Sequence, residues 1–229
     1  MPETKKEINE INEIKLSPSS LNLFMECPKC FWLEHVQGIH RPKGIFPSLP
    51  SGMDIALKKY FDKFRPALPP ELKGKVEGSL LSDSVLLKKW RNWRTGLNFR
   101  DETNAILSGA LDDCLVKDNL YIPVDYKTRG FALKEDTTSS YQNQLDCYCL
   151  LLEKNGYKHA GFAYLIFYIP KEVQENNLVK FDVEVVKMPT DTTRALKIFR
   201  DAVLALKGPM PMSHSECAYC VYGRDYIEE

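Results

Sequence analysis

The sequence predicts an α/β fold in which helices flank a mixed central sheet. Apolar residues recur at helical spacing in the first part of the 229-residue chain, and short strand-like segments interrupted by one helical segment follow. The Gly-rich loops of dinucleotide-binding and phosphate-binding α/β proteins are absent from the sequence. With 44% hydrophobic residues, the chain can bury one sizeable core.

The helices are predicted from apolar spacing and from their start and stop residues. Ser17 is placed to cap the first helix, and Pro28 to begin a short second one. Three prolines that start at Pro66 end the third helix, and Gly156 ends the fifth. The predicted helices are 17–27, a short segment after residue 28, and then 51–64, 82–93, 137–154 and 191–206.

The strands are predicted at 98–101, 105–117, 120–127, 160–169 and 178–187. Asp118 and Asn119 form the turn between the second and third strands, and the apolar 160–169 segment fits the middle of a sheet. We therefore expect a tail or helix at 1–16 and a single domain at 17–229. Its parts are a helical, Cys-containing segment 17–96, a core 97–207 and a Cys-containing tail 208–229.

Charge and hydropathy narrow the class of protein. Lys and Arg number 31, as do Asp and Glu, so the chain lacks the net positive charge of many nucleic-acid binders. No apolar run is long enough to span a bilayer and no secretory signal is visible, so we expect a cytoplasmic protein without a membrane partner.

The sequence contains two clusters of basic residues. The first consists of Lys88, Lys89, Arg91 and Arg94 around Trp90 and Trp93, and the second of Arg194, Lys197 and Arg200. Each fits a solvated helix face, and each also fits a nucleic-acid surface. In the first cluster, the two tryptophans are candidates for stacking on unpaired bases.

Asp125 and Lys127 are two residues apart at the end of an apolar strand, so both project from one face. Burying them is costly unless they pair or meet a metal; a strand that ends in solvent is the alternative. Asp112, on the neighbouring strand, is expected beside Asp125, and two carboxylates there favour Mg²⁺ or Mn²⁺. Lys127 would stabilise negative charge in the reaction, whereas Asp113 points to the opposite face as a structural or solvent-exposed residue.

Gln144 and Tyr148 are four residues apart, hence on one helical face, and Tyr141 precedes Gln144 by three residues. Core packing also explains a Tyr at this spacing. The amide of Gln144 needs hydrogen-bond partners, which the phosphate backbone of a substrate or Lys127 would provide.

Together, the motifs Gly109-x-x-Asp112, Asp125-x-Lys127 and Gln144-x-x-x-Tyr148 resemble the RecB-like branch of the PD-(D/E)xK nuclease superfamily. Within that branch, the sequence resembles CRISPR-associated RecB-like exonucleases and AddB-type iron–sulfur nuclease domains. The resemblance implies a restriction-endonuclease-like core and metal-dependent hydrolysis of DNA. It also implies an exonuclease acting on single-stranded DNA or DNA ends in repair, recombination or CRISPR adaptation, with possible protein partners there.

The resemblance also assigns roles to residues. Asp112 and Asp125 would bind the metal together with the backbone carbonyl of Tyr126, and Lys127 would be the catalytic lysine. Gln144 and Tyr148 would orient the substrate. Members of the family usually carry a further His ligand on the helix before the sheet, whereas this chain has Asp54 there. Asp54 either replaces that ligand or is a first-turn acid that favours the helix dipole.

Four cysteines form two C-x2-C pairs, Cys27 with Cys30 and Cys217 with Cys220. Paired motifs of this kind indicate a metal site that joins the N- and C-terminal segments, and disulfides are less expected without a secretory signal. Zinc and a 4Fe-4S cluster both accept four thiolates. The resemblance favours 4Fe-4S, with Cys30 in place of a missing third C-terminal cysteine, and zinc is the alternative. The other cysteines are expected to be small buried hydrophobic residues: Cys114, Cys147 and Cys149.

Two other functional classes compete with a metal-dependent nuclease. One is a catalytically weak or inactive nuclease-fold module for DNA binding or assembly, which the Asp54 departure motivates. The other is a zinc-ribbon interaction protein with an incidental acidic patch, which leaves the Asp125 and Lys127 strand unexplained.

Overall fold

The computed structural model describes residues 13–225, so residues 1–12 of the predicted N-terminal tail or helix lie outside the described residues. The α-helices are α1 Pro18–Glu26, α2 Pro28–Trp32, α3 Ser48–Asp62, α4 Ser84–Trp90, α5 Gln142–Lys154, α6 Thr192–Lys207 and α7 Ala218–Asp225. The strands are β1 Lys15–Leu16, β2 Ser79–Leu80, β3 Leu97–Arg100, β4 Ile106–Gly109, β5 Asp113–Lys117, β6 Leu120–Thr128, β7 Phe162–Gln174 and β8 Leu178–Pro189.

The chain forms two compact units. The first, here the cysteine unit, comprises the described parts of 1–44, 100–107 and 197–229; the second, here the sheet unit, comprises 45–99 and 108–196. That residues 17–229 act as one nuclease domain stays a prediction.

The sheet unit contains a five-stranded sheet with the order β2-β5-β6-β7-β8. Strands β6 and β7 are parallel, and the other neighbouring pairs are antiparallel, which confirms the predicted mixed sheet. Between β5 and β6, Asp118 and Asn119 have φ of 49° and 61°, the left-handed conformation that a two-residue hairpin turn requires. The predicted turn is therefore confirmed.

Helices α3 and α5 pack on the sheet because β6 alternates its side chains between two faces. Val124 and Tyr126 belong to a core cluster that also contains Leu57 and Phe61 of α3. The intervening Asp125 instead contacts α5. Buried residues of α5 cover this side: Asn143 and all positions 145–152.

One strand prediction was wrong. Residues 105–117 form two strands, β4 and β5, separated at 110–112. The N–H of Leu111 donates to the Trp90 carbonyl at 3.1 Å, and the Arg91 side chain donates to the Asp112 carbonyl at 2.7 Å. Because these backbone groups bond to the end of α4, they do not continue a ladder. At the other end of the sheet, the β7–β8 hairpin runs five residues past the predicted end at Ile169, to Gln174.

The cysteine unit contains α1, α2, α7 and part of α6. Lys15 and Leu16 pair in parallel with Ile106 and Leu107. Ser17 caps α1 through a hydrogen bond from the Ser20 N–H at 3.2 Å, as predicted. Among residues 13–225, no helix combines the length and the apolar character needed to cross a membrane.

Candidate active site

Asp112 and Asp125 meet at one end of the β5–β6 hairpin. The register pairs Asp113 with Val124, which places Asp112 level with Asp125. Oδ2 of Asp112 accepts a 3.3 Å hydrogen bond from the Tyr126 N–H. The Asp125 side chain is 1% exposed and that of Asp112 is 19% exposed, so Asp125 is shielded from water and Asp112 is partly exposed.

Helix α3 brings an acid and a base to the same place. Asp54 and Lys58 are one helical turn apart, and their side chains form an ion pair with an N–O distance of 2.8 Å. The same Lys58 Nζ lies 2.8 Å from Oδ1 of Asp112. Lys58 is a site residue that the motifs did not reveal, although its i+4 spacing from Asp54 was a usable signal.

Gln144 joins the predicted catalytic residues through both ends of its amide. Its Nε2 donates to Oδ1 of Asp125 at 2.9 Å and to the Tyr148 hydroxyl at 2.6 Å. Its Oε1 accepts from Lys127 Nζ at 3.4 Å. Tyr148 is buried. Lys127 Nζ lies 4.9 Å from the centre of the ring of Tyr141, the residue just before α5, so the start of this helix holds the lysine from one side.

These side chains line a cavity of about 600 Å³, with Asp54, Asp112, Asp125, Lys127, Tyr141 and Gln144 on its wall. The cavity is open to solvent and mixes negative and positive groups. A phosphodiester and a hydrated cation would both find partners in it.

The electrostatics of Asp125 favour a cation. Burial, followed by the charge of Asp112, raises the pKa of Asp125 to about 7, and the ion pair with Lys127 only partly opposes these effects. Oδ2 of Asp125 is buried and forms an ion pair with the Lys127 ammonium, but it accepts no well-aligned hydrogen bond. An oxygen in this condition is a fitting ligand for a divalent metal, which would keep the carboxylate ionised.

Behind the cavity, Asp113 is fully buried, which decides between the two readings that the sequence left open. Its carboxylate is paired with Arg65 and, at 2.9 Å, with Arg91, and it accepts a hydrogen bond from the Tyr126 hydroxyl. Arg91 also donates to the Asp112 carbonyl. This network therefore positions the backbone on both sides of the candidate metal ligands. No sequence motif linked either arginine to Asp113.

The four predicted cysteine ligands come together within the cysteine unit. Sγ–Sγ distances are 3.6 Å for Cys30 with Cys217 and with Cys220, and 3.8 Å for Cys27 with Cys220. All four sulfurs lie within 4.8 Å of one another. Among the described residues, no other group of three or more His, Cys, Asp or Glu side chains brings its ligand atoms this close together. Zn–S bonds of about 2.3 Å in a tetrahedron place sulfurs roughly 3.8 Å apart, so the spacing fits one ion.

The surroundings lower the pKa of Cys27 and Cys217, whereas burial and hydrogen bonds with neighbouring cysteines raise the pKa of Cys30 and Cys220. Burial raises the pKa of Cys217, but hydrogen bonds from the Cys220 backbone and from Cys30 outweigh it and lower the pKa to about 6. Arg41 Nη2 lies 3.7 Å from the Cys217 sulfur. The remaining cysteines are buried separately, as predicted, and burial raises the pKa of each thiol: Cys114, Cys147 and Cys149.

The two tryptophans of the first basic cluster have different environments. Trp90 is 1% exposed, and its ring packs edge-on against Tyr121 and Tyr157 at centroid distances of 5.5 and 4.9 Å. The expectation that Trp90 stacks on bases was therefore wrong. Trp93 is 72% exposed.

Comparison with protein families gives one match. A family model described as the PD-(D/E)XK nuclease superfamily matches residues 67–224, which is more than half of the chain. The matched segment contains Asp112, Asp125, Lys127 and Gln144, and it begins after Asp54. A search of curated proteins found no match.

Proposed function

We propose that this chain, which belongs to the PD-(D/E)XK nuclease superfamily, is a Mg²⁺- or Mn²⁺-dependent deoxyribonuclease. The observation that carries the proposal is the convergence of Asp112, Asp125 and Lys127 on one cavity, with the Asp125 oxygen lacking a hydrogen bond. As predicted from the RecB-like resemblance, we propose exonuclease action on single-stranded DNA or DNA ends. Roles in repair, recombination or CRISPR adaptation, protein partners and a cytoplasmic location stay predictions.

Asp112 and Asp125 would hold the metal, with the Tyr126 carbonyl as a further ligand. Asp54 lines the same cavity, and the metal would bind it once the ion pair between Asp54 and Lys58 opens. A bound divalent ion lowers the pKa of a water and stabilises charge on a phosphoryl oxygen. Hard carboxylate oxygens favour Mg²⁺ or Mn²⁺ over softer ions.

Lys127 would act on the phosphate, and Gln144 would orient the side chains around it. The Lys127 side chain is 21% exposed and lines the cavity, so a phosphate oxygen can approach it there. It would stabilise the negative charge that grows as water attacks phosphorus, and the product would keep its 5′-phosphate. Gln144 bonds to both Asp125 and Lys127, and it would orient these two side chains; buried Tyr148 holds the Gln144 amide in turn.

At the cysteines we propose a single structural zinc ion held by Cys27, Cys30, Cys217 and Cys220. The 3.6–3.8 Å sulfur spacings support this choice, because a 4Fe-4S cluster places a separate iron under each thiolate and so needs wider spacing. The 4Fe-4S expectation rested on resemblance, and it stays a prediction that metal analysis tests. Joining segments far apart in sequence would restrict the unfolded chain and stabilise the cysteine unit.

A second candidate function is a nuclease-fold module that binds DNA without turnover. It is favoured by Lys58, whose ammonium is paired with both Asp54 and Asp112. A cation fixed at that place would oppose metal binding. The zinc-ribbon interaction protein is disfavoured, because it does not account for the family match across residues 67–224.

Cleavage of end-labelled single-stranded DNA with Mn²⁺ tests the nuclease proposal. We expect Lys127→Ala and Asp125→Ala to lower the rate by at least about 100-fold, the usual effect of losing a transition-state charge partner. Lys171→Ala is the matched control, since Lys171 is exposed and paired with Asp182 on the β7–β8 hairpin. Unchanged cleavage by both site variants would refute the site, and binding without cleavage by the native chain would favour the second candidate.

A further inference from the structure

We propose that the turn after α4, residues 92–95, is a docking surface for unpaired bases of single-stranded DNA, with Trp93 as the stacking residue. The proposal rests on the nuclease function and adds to it the place where the substrate strand is held. The residues that form this surface lie within the sheet unit.

Trp93 is presented to solvent in a way that the other tryptophans are not. It is 72% exposed, whereas Trp32 is 9% and Trp90 1% exposed. The Arg94 guanidinium lies over its ring, 4.9 Å from the centroid. A large aromatic ring of this kind offers a face on which a base of any identity can stack.

Most of the basic residues around Trp93 are not paired with an acid. Among residues 13–223, whose side chains are described, no carboxylate lies within 4.0 Å of the side-chain nitrogens of Lys88, Lys89 or Arg94. Arg91, the fourth basic residue of this cluster, is paired with Asp62 and Asp113. Free cations beside an aromatic ring match a strand that carries one phosphate per base.

The second basic cluster of the sequence shows the contrast. Each of its members is paired with an acid, and the pairs are Arg194 with Asp146, Lys197 with Asp201, and Arg200 with Asp101. A positive cluster that is neutralised in this way offers little to a phosphate backbone. The two clusters look alike in sequence, but the one at Trp93 has three basic residues without such a pair, Lys88, Lys89 and Arg94, and only its Arg91 is paired with acids.

The surface has a concave part. Lys88, Arg91, Asn92, Trp93 and Arg94 line a cavity of about 380 Å³. One aromatic wall with cationic groups around it suits an unpaired nucleotide. A duplex is a poorer fit, because its bases are already stacked and paired and their faces are covered.

The residue just before the turn is tied to the segment that carries Asp112. Arg91, two residues before Trp93, donates from its side chain to the Asp112 carbonyl at 2.7 Å. The end of α4 is therefore linked to the backbone of a candidate metal ligand.

Gly96 fixes the other end of the turn. A Cβ at this position would lie 2.5 Å from the Gly109 carbonyl oxygen and 2.9 Å from the Asn92 carbonyl oxygen. Only glycine allows so close an approach between the turn and the start of the Gly109-x-x-Asp112 motif. The docking surface therefore has a defined position and is not a loose loop.

Binding in EDTA tests the proposal separately from cleavage, because stacking needs no metal. We expect an unstructured oligonucleotide to quench tryptophan fluorescence, and an abasic oligonucleotide of equal length to leave it unquenched. With a labelled oligonucleotide, Trp93→Ala should weaken binding at least about 5-fold, and Trp93→Tyr should keep most of the affinity. Lys88→Ala combined with Lys89→Ala should reduce the salt slope by about 0.7 per charge removed.

Lys197→Ala is the matched control for loss of a surface charge, since Lys197 is 76% exposed and already paired; it should bind like the native chain. Equal binding by Trp93→Ala, or equal quenching by the abasic strand, would overturn the docking surface. If the chain binds through Trp93 but never cleaves, the nuclease proposal fails and the docking surface stands. If Lys127-dependent cleavage occurs and Trp93→Ala binds normally, only the docking surface fails.

Discussion

The Lys58 ammonium lies 2.8 Å from Oδ1 of Asp112, a residue that the family motif assigns to metal binding. The same nitrogen is 2.8 Å from Oδ2 of Asp54. Burial lowers the pKa of Lys58, but the charge of Asp112 and its hydrogen bonds with both acids outweigh burial and raise it, so the group is charged. A divalent ion that enters this cavity must therefore compete with a fixed ammonium.

We predict that Lys58→Met increases the affinity for Mn²⁺ by about 10-fold, or about 1.4 kcal/mol. The substitution removes a competing positive charge and keeps a side chain of similar length. Isothermal titration calorimetry on the native chain and the variant measures the effect. The control is Lys59→Met, which changes the exposed neighbour in the same helix. Unchanged or weaker Mn²⁺ binding by Lys58→Met would show that Lys58 does not compete with the metal.

Asp54 is predicted to be a metal ligand in place of the usual histidine. We expect Asp54→Ala to weaken Mn²⁺ binding by roughly 10- to 100-fold, the range seen when the coordination of a bound metal is disturbed. Asp54→His should shift the preference towards Mn²⁺ over Mg²⁺, because imidazole is a poorer ligand for Mg²⁺ than a carboxylate. Calorimetry with each ion checks both outcomes. If Asp54→Ala binds Mn²⁺ with the affinity of the native chain, Asp54 is not a metal ligand and serves only as the ion-pair partner of Lys58.

Asp113 should contribute to stability more than a surface acid does. It is fully buried between Arg65 and Arg91, so Asp113→Asn removes a buried counterion from both arginines and leaves them only Asp62, whose side chain is 46% exposed. We expect the free energy of unfolding in urea to fall by about 3 kcal/mol, near the lower end for a broken buried pair. Asp182→Asn, in an exposed pair with Lys171, should cost no more than about 1 kcal/mol. Similar losses for the two variants would contradict the structural role of Asp113.

The cysteine site should contain one zinc ion per chain. We expect the purified native protein to be colourless with equimolar zinc, and Cys217→Ser to lose the metal and unfold at a lower temperature, because metal binding is coupled to folding. Cys147→Ala, at a buried cysteine outside the group, should keep its zinc. Elemental analysis and the visible spectrum check the prediction. A brown protein containing iron would establish the 4Fe-4S alternative instead.

Local patterns predicted the parts of the fold and site that depend on spacing along the chain. The period of two placed Asp125 and Lys127 on one face of β6, and the turn at Asp118 and Asn119 brought Asp112 alongside. Helical spacing likewise put Gln144 and Tyr148 together. These relationships were predictable because each is fixed by a single element or a single hairpin.

The features that the sequence did not predict depend on contacts between distant elements. The break at 110–112 follows from hydrogen bonds to the end of α4, which no local pattern encodes. Trp90 and Trp93 both adjoin basic residues, but Trp90 lies three residues after buried Leu87 and so shares its inward face. The spacing from Leu87 was present in the sequence, but the expectation that both tryptophans stack on bases did not use it.

Anomalous diffraction from crystals grown with Mn²⁺ tests the central claim, that Asp112 and Asp125 share a divalent metal. We expect a peak about 2.0–2.5 Å from a carboxylate oxygen of each residue and from the Tyr126 carbonyl, with the Lys58 ammonium displaced from Asp112. Saturating Mn²⁺ with no peak in this cavity, and with Lys58 still paired with Asp54 and Asp112, would contradict the claim.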